Sequence, residues 1–445
     1  MQQSGSDSIQ SLQREKREEC PQQHCPKTAL SVEVDRDASK AVETQDGSRT
    51  IRQSYKLAWL QVLGSFCLYF NTYGIISSFG IYQVYYKTEL GYRPTQASLI
   101  GSLQSFLIFL TTGAAGPLYD AGYYRHILVI GSGALVLGTF LQSISTRYWH
   151  FILTQSICVG LGGGLISFLG PTILATYFSR HLALASGIGA SGGGVAGIVF
   201  PFIFRELQPK LGFGWTVRIM GFISLVTLAV PVFAMKVHMF PARIRHMVDS
   251  TALRDIPFII FLFGNFLLLL GVFIPYFYVQ VFAVDTSLAG RDLSFYVLAA
   301  MNLASVFGRI LPNFFSAAIG PFNMLLCMAL VATTAAFAYI ASTSLAGLIV
   351  TNAFYGFASG GFFALQPVVV IGLCPDPRLI GTRVGMAFCF LAFAVLASNP
   401  VAGAILDSGG YTGVWIWTGI ALGLGGLVMA AARGLKYGWA FAHRV

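Results

Sequence analysis

PFIIFLFGNFLLLLGVFIPYFYVQV, residues 257–281, runs for 25 positions without a charge. A helix rises about 1.5 Å per residue, so about 20 apolar residues cross a hydrocarbon core about 30 Å thick. The stretch therefore reads as a membrane-spanning helix. Working outward from it, twelve stretches qualify: 58–82, 97–118, 126–145, 149–176, 183–204, 215–236, 257–281, 294–316, 322–342, 345–372, 382–405 and 413–433. The glycine-rich fifth and twelfth carry the weakest apolar signal.

Composition agrees with this reading. Of 445 residues, 55% are hydrophobic and only 10% charged, whereas soluble domains carry about 25% charged residues. The 49 glycines and the 14% of aromatics suit helices packed closely in lipid, with rings at headgroup level. The formal charge of +10 is scattered between apolar segments and forms no patch, so no nucleic-acid partner is expected. Cys67, Cys158, Cys327 and Cys389 sit in apolar segments and make no disulfide framework. CPQQHC, with Cys20, His24 and Cys25, is the only cluster with ligand chemistry, and it lacks a second ligand pair, so no metal is expected.

Residues 1–55 are polar, with acids and bases nearly balanced, and read as a disordered cytosolic tail. No apolar run follows Met1, so the first span is expected to act as signal anchor. Lys and Arg weigh about two to one toward the side that holds both ends of the chain, which favours both termini in the cytosol; the plasma membrane is the expected location. The longest internal polar stretch, Lys236 to Asp255, divides the chain into a six-helix half at 56–236, a cytosolic linker at 237–255, a second half at 256–435 and a tail at 436–445. Shifted by about 196 residues the halves resemble each other: Gly160, Gly164 and Pro171 align with Gly356, Gly360 and Pro367.

Charge inside a bilayer costs roughly 2.5 to 3.5 kcal/mol for an Arg at a helix centre, so such residues usually face a cavity or a partner. Arg309 is the clear case. Asn302, Ser305, Arg309, Asn313 and Ser316 recur at spacings of 3, 4, 4 and 3, which puts them on one helical face. Asn71 and Ser78 lie seven apart in the first span, and Asn352, Ser359 and Gln366 recur at seven in the tenth. Together these stripes read as the wall of a wettable cavity. The alternative is hydrogen bonding between helices, or an Arg309 that caps a neighbour's carbonyls. Glycines cluster at Gly160, Gly162, Gly163 and Gly164, and again from Gly187 to Gly197, where backbones can approach closely or slide. The chain has no GxxxxGK[ST] or HExxH, so neither an ATP-driven pump nor an embedded metalloprotease is expected, and no cofactor is implied.

GPLYDAGYYR, residues 116–125, lies between the second and third spans and carries Gly116, Asp120, Gly122 and Arg125. It resembles the signature loop of the major facilitator superfamily; a plain Asp-Gly turn is the alternative. NTYGIISSFGIYQVYY from Asn71, the Tyr177-Phe178 pair ahead of Arg180, GFGWTVRI from Gly212 and ASVFGRILPNFF from Ala304 are similar to the fungal monocarboxylate-transporter-like branch. The resemblance covers residues 55–435. It implies an all-α polytopic protein of twelve transmembrane helices in two pseudo-symmetric six-helix halves, a solute site between them, and alternating access by rocking. In that family the loop acid latches one access state.

Characterised animal members carry a lysine in helix 1 and an Asp four residues before the helix-8 arginine. Ser77 and Ser305 stand at those positions here, while Tyr73 and Arg309 match. The resemblance thus implies a secondary transporter of a small organic solute, a monocarboxylate-like anion or a secondary metabolite, with protons as the candidate coupling ion. The expected solute residues are Arg309, Asn302, Ser305, Asn313, Tyr73, Asn71, Ser77, Asn352 and Gln366. A solute sensor that does not transport is the alternative from another class.

Overall fold

Polar turns and glycines cut the chain into helices close to the expected spans. The computed structural model describes residues 56–178, 181–237, 249, 251–374 and 380–438. The 1–55 tail with its Cys20, His24 and Cys25 cluster, most of the linker, and 439–445 lie outside the described residues. Among the described residues ten helices are long and apolar enough to cross a membrane.

Two of these ten are broken in the middle. The run Leu182–Ala234 has Gly212 at φ 76°, ψ 170°, and the run Ile380–Tyr437 has Gly410 at φ 66°, ψ −171°. A positive φ is strained for any residue with a Cβ, so glycine fills both reversals. Each run therefore folds into two helices, which brings the number of spans to twelve. We number them α1 (Lys56–Thr88), α2 (Pro94–Asp120), α3 (Tyr124–Gln142), α4 (Tyr148–Tyr177), α5 (182–211), α6 (213–234), α7 (Ile256–Asp285), α8 (Arg291–Ile319), α9 (Pro321–Ala338), α10 (Leu345–Gly372), α11 (380–409) and α12 (411–437). The two reversals occupy the same place in each half, 198 positions apart (410 minus 212), with nearly the same backbone angles.

The glycines shared by the halves also do the same job. In α4, a Cβ at Gly160 or Gly164 would run into α2 at Gln104, Leu107 and Ile108; in α10, one at Gly356 or Gly360 would run into α8 at Met301 and Ser305. In each half the fourth helix thus docks directly on the second.

Burial is inverted relative to a soluble domain. Asn71, Asn302, Ser305 and Asn352 are fully enclosed, while Val226, Phe233, Leu330 and Leu427 stand out at 68–80% exposure. A surface this apolar is stable only against lipid. The α5–α8 seam is a direct backbone fit: the Gly194 position abuts Val306, and that of Gly197 abuts the Asn302 amide. The α2–α11 seam is similar, with Gly113 against Gly385 and Cys389.

Candidate substrate site

The polar stripe of α8 is buried from end to end, but its members have different partners. Asn302 Nδ2 donates to Leu298 O (3.2 Å), Asn313 Nδ2 to Arg309 O (2.7 Å) and Ser316 Oγ to Asn313 O (2.7 Å). Each of these bonds stays within α8. Asn302 and Asn313 also fill the space left by Gly197 and Gly187 of α5, and Ser305 lies against Gly360 of α10. Glycine grooves in the neighbours thus receive all three side chains, while Asn302 Oδ1, Ser305 Oγ and Asn313 Oδ1 have no hydrogen-bond partner.

Arg309 is different. It is 1% exposed. Its Nη1 donates to the Ala190 carbonyl of α5, and its Cζ stands 5.9 Å from the centre of the Phe363 ring, within cation–π range. Nε and Nη2 have no hydrogen-bond partner. These two N–H groups share one edge of the guanidinium and form the side-on fork that fits both oxygens of a carboxylate. Burying a cation without a countercharge costs several kcal/mol, which an anionic partner on this edge would offset. Gly193 makes the position possible, because a Cβ there would collide with Nη1 and come within 3.0 Å of the Tyr73 Cβ.

Rings from five helices meet in one cluster with Phe363, the ring that faces the guanidinium. Tyr73 of α1 stacks on Tyr69 (5.2 Å between centroids) and reaches Phe363 of α10 (6.2 Å) and Phe109 of α2 (6.4 Å). Phe363 also meets Phe273 of α7 (5.2 Å), and Phe109 meets Phe388 of α11 (5.3 Å). Tyr276 of α7 joins Phe363 (6.4 Å) and shares a 2.9 Å hydrogen bond with Ser359. Tyr73 keeps accessible surface although it stands mid-helix among these rings. Sequence reasoning missed every ring except Tyr73, because an aromatic in an apolar span reads equally as lipid-facing or as core.

Of the remaining expected residues, Ser77 and Gln366 stand one turn from Tyr73 and Phe363 on the same helical faces, both buried, with Gln366 Nε2 unpartnered. Asn71 instead donates to Thr227 Oγ1 of α6 (2.8 Å), and Asn352 accepts from Tyr339 (2.6 Å). These bonds tie helices together and leave Asn71 Oδ1 and Asn352 Nδ2 without a hydrogen-bond partner.

The 116–125 loop closes α2 with two bonds, Gly122 N to Tyr119 O (2.9 Å) and Tyr123 N to Leu118 O (3.1 Å), with Gly122 at φ 88°. That is a Schellman cap. Gly116 and Asp120 belong to the last turns of α2, and Arg125 is exposed at the start of α3.

Two further charge sites were not anticipated. At the end of the bundle that holds both termini, buried Arg383 of α11 pairs through Nε with Asp249 (2.9 Å) and through Nη1 with Asp255 (2.9 Å), and Nη2 donates to Thr251 Oγ1 (3.3 Å). Asp255 also accepts from Phe258 N at the start of α7. Burial raises the Asp249 pKa, but hydrogen bonds from Thr251 and Arg383 and the Arg383 charge outweigh it and hold the carboxyl below its ordinary value. At the opposite end Lys87 of α1 pairs with Asp285 of α7 (2.8 Å), which also accepts from Tyr411 (2.6 Å). Beneath them Phe79 stacks on Phe277 at 4.7 Å.

Comparison with known proteins adds family information. The model of the Major Facilitator Superfamily matches residues 62–343. The chain is 37% identical to the MFS-type transporter dbaD of Emericella nidulans over 84% of this chain and 86% of the other. It is 31% identical to the aspyridones efflux protein apdF of Emericella nidulans, over 85% and 78%, and 32% identical to the agnestins efflux protein AgnL12 of Paecilomyces divaricatus, over 93% and 95%. Its fold resembles the crystal structure of the human organic anion transporter MFSD10 (TM-score 0.63, 15% identity, covering 85% of this chain and 99% of that one).

Proposed function

The chain belongs to the major facilitator superfamily, and from that premise we propose a secondary transporter that carries a small organic anion by alternating access. The solute site is the ring cluster beside Arg309, with the anionic group on the Nε and Nη2 edge. The observation that supports this is a buried guanidinium with two adjacent N–H groups unpartnered. Tyr73 and Arg309 support a monocarboxylate-like recognition mode, and the relatives named as efflux proteins support export as the direction. The boundary between halves falls in the linker at 237–255, and rocking about the glycine-fitted α5–α8 and α2–α11 seams exposes the site at each end in turn.

The end with both termini faces the cytosol, supported by the Lys and Arg bias. There Asp120, at the C-terminal turn of α2, latches one access state. An impermeant thiol reagent on intact cells should label Thr286→Cys and spare Tyr123→Cys; the reverse pattern overturns the orientation.

Flux into proteoliposomes tests the function itself. Labelled benzoate should accumulate with the wild-type chain and be nearly abolished by Arg309→Gln at equal incorporation. Saturable binding without accumulation would point to a sensor, and undiminished flux in the Gln variant would leave the anion site elsewhere.

A further inference from the structure

We infer that the solute is a flat, conjugated anion, an aryl carboxylate or comparable delocalised acid, rather than a short aliphatic acid. This rests on the reading of Arg309 as anion anchor and specifies the body attached to the anion. A carboxylate held on the Nε and Nη2 edge lies in the guanidinium plane. In an aryl carboxylate the ring is conjugated with that carboxylate and stays near the same plane. A saturated body leaves it at the first tetrahedral carbon.

The ring nearest the guanidinium, Phe363, opens a continuous aromatic cluster. The guanidinium lies 5.9 Å from the Phe363 centroid. Past Phe363 come Tyr73 at 6.2 Å and Phe273 at 5.2 Å, and past Tyr73 comes Phe109 at 6.4 Å. The rings meet at angles from 28° to 69°, so they present both faces and edges, the arrangement that π-systems favour. A lactate-sized acid would reach the fork without touching most of these rings. A conjugated body extends from the fork along Phe363 to Tyr73 and gains stacking with each. Tyr69, Tyr73 and the Tyr276–Ser359 pair add hydroxyls to this cluster that suit oxygen substituents.

The test is thermal stabilisation of the purified full-length protein by four defined probes: benzoate, 2-naphthoate, cyclohexanecarboxylate and benzamide. Benzoate and cyclohexanecarboxylate share the anion and the ring size and differ in flatness, while benzamide keeps the ring and loses the charge. Benzoate and 2-naphthoate should bind about tenfold or more tightly than cyclohexanecarboxylate, the scale of one or two good stacking contacts, and benzamide should not bind. Phe363→Leu should remove that tenfold preference, and Phe363→Tyr should retain it, which separates loss of the ring from loss of the fold.

Equal affinity for benzoate and cyclohexanecarboxylate in the wild type, or no saturable shift with either aryl carboxylate, overturns the inference. Binding of both acids that survives Arg309→Gln overturns instead the anchor reading on which it rests.

Discussion

Two arginines, both nearly sealed from solvent, divide the molecule into a part that is finished and a part that waits for a partner. Arg383 is 2% exposed and meets two carboxylates, a hydroxyl and the face of Phe258 at 5.3 Å. Arg309 is 1% exposed and meets one carbonyl and one ring, with its fork empty. The desolvation penalty is comparable, but only Arg383 has the countercharge that offsets it. Arg383 thus joins the linker and the start of α7 to α11 as a structural clamp. Arg309 lacks such a countercharge within the chain, which is what the proposed anion would supply.

The strongest way to break this contrast is to remove the clamp. Arg383→Gln leaves Asp249 and Asp255 as buried charges without their partner, a loss of about 3–5 kcal/mol. Its melting temperature should fall sharply and its yield in the membrane with it. A melting temperature equal to wild type would mean that the two carboxylates relax to solvent and the pairing is incidental.

A smaller effect, confined to binding, should follow from Gly193→Ala. The added Cβ pushes Nη1 from its place against Ala190, and a misaligned charge-assisted hydrogen bond of about 1.5–3 kcal/mol weakens anion affinity roughly tenfold or more. Titration of aryl-carboxylate binding measures it. Unchanged affinity would show that the guanidinium does not need its contact with α5 to hold the anion.

The contrast also has a pH signature. Asp249 is held below its ordinary carboxylate value, so its folded-state pKa lies below its unfolded one. Its stabilising contribution is then complete above about pH 4 and is lost as pH falls through the depressed value. Melting temperature followed downward from pH 6 should drop more steeply below about pH 4 in wild type than in Asp249→Asn. Parallel curves would remove Asp249 from the clamp.

The least effect is expected at the opposite end. Lys87 and Asp285 are 34% and 36% exposed, and such pairs contribute about 0–1 kcal/mol. Lys87→Ala should leave melting temperature within about a degree or two while shifting the balance between access states, read as thiol accessibility at Phe79→Cys. No change in that accessibility would make the pair a surface contact without bearing on gating.

Much of this was legible in advance. Long apolar runs locate the spans, since 257–281 and 345–372 fall inside or on Ile256–Asp285 and Leu345–Gly372. The glycines paired across the halves turned out to be docking points of α4 on α2 and of α10 on α8. Arg309 stood out because a charge amid an apolar run has few explanations. Arg383 did not: at the edge of a span it reads as a topology charge, and its partners lie 134 and 128 positions away. The amides of Asn71 and Asn352 keep heptad spacing with Ser78 and with Ser359 and Gln366, and that spacing serves a cavity wall and a helix–helix bond equally well. The rings around the fork come from α1, α2, α7, α10 and α11, and nothing local in any one helix marks them as neighbours.

The most direct measurement puts both arginines through one assay, melting temperature and aryl-carboxylate binding of Arg309→Gln and Arg383→Gln side by side. The account predicts that Arg309→Gln keeps or raises the melting temperature, since it removes an uncompensated buried charge, and loses binding, while Arg383→Gln loses stability. An Arg309→Gln protein that melts as early as Arg383→Gln, with the affinity of its folded fraction intact, would contradict it and make Arg309 a second clamp.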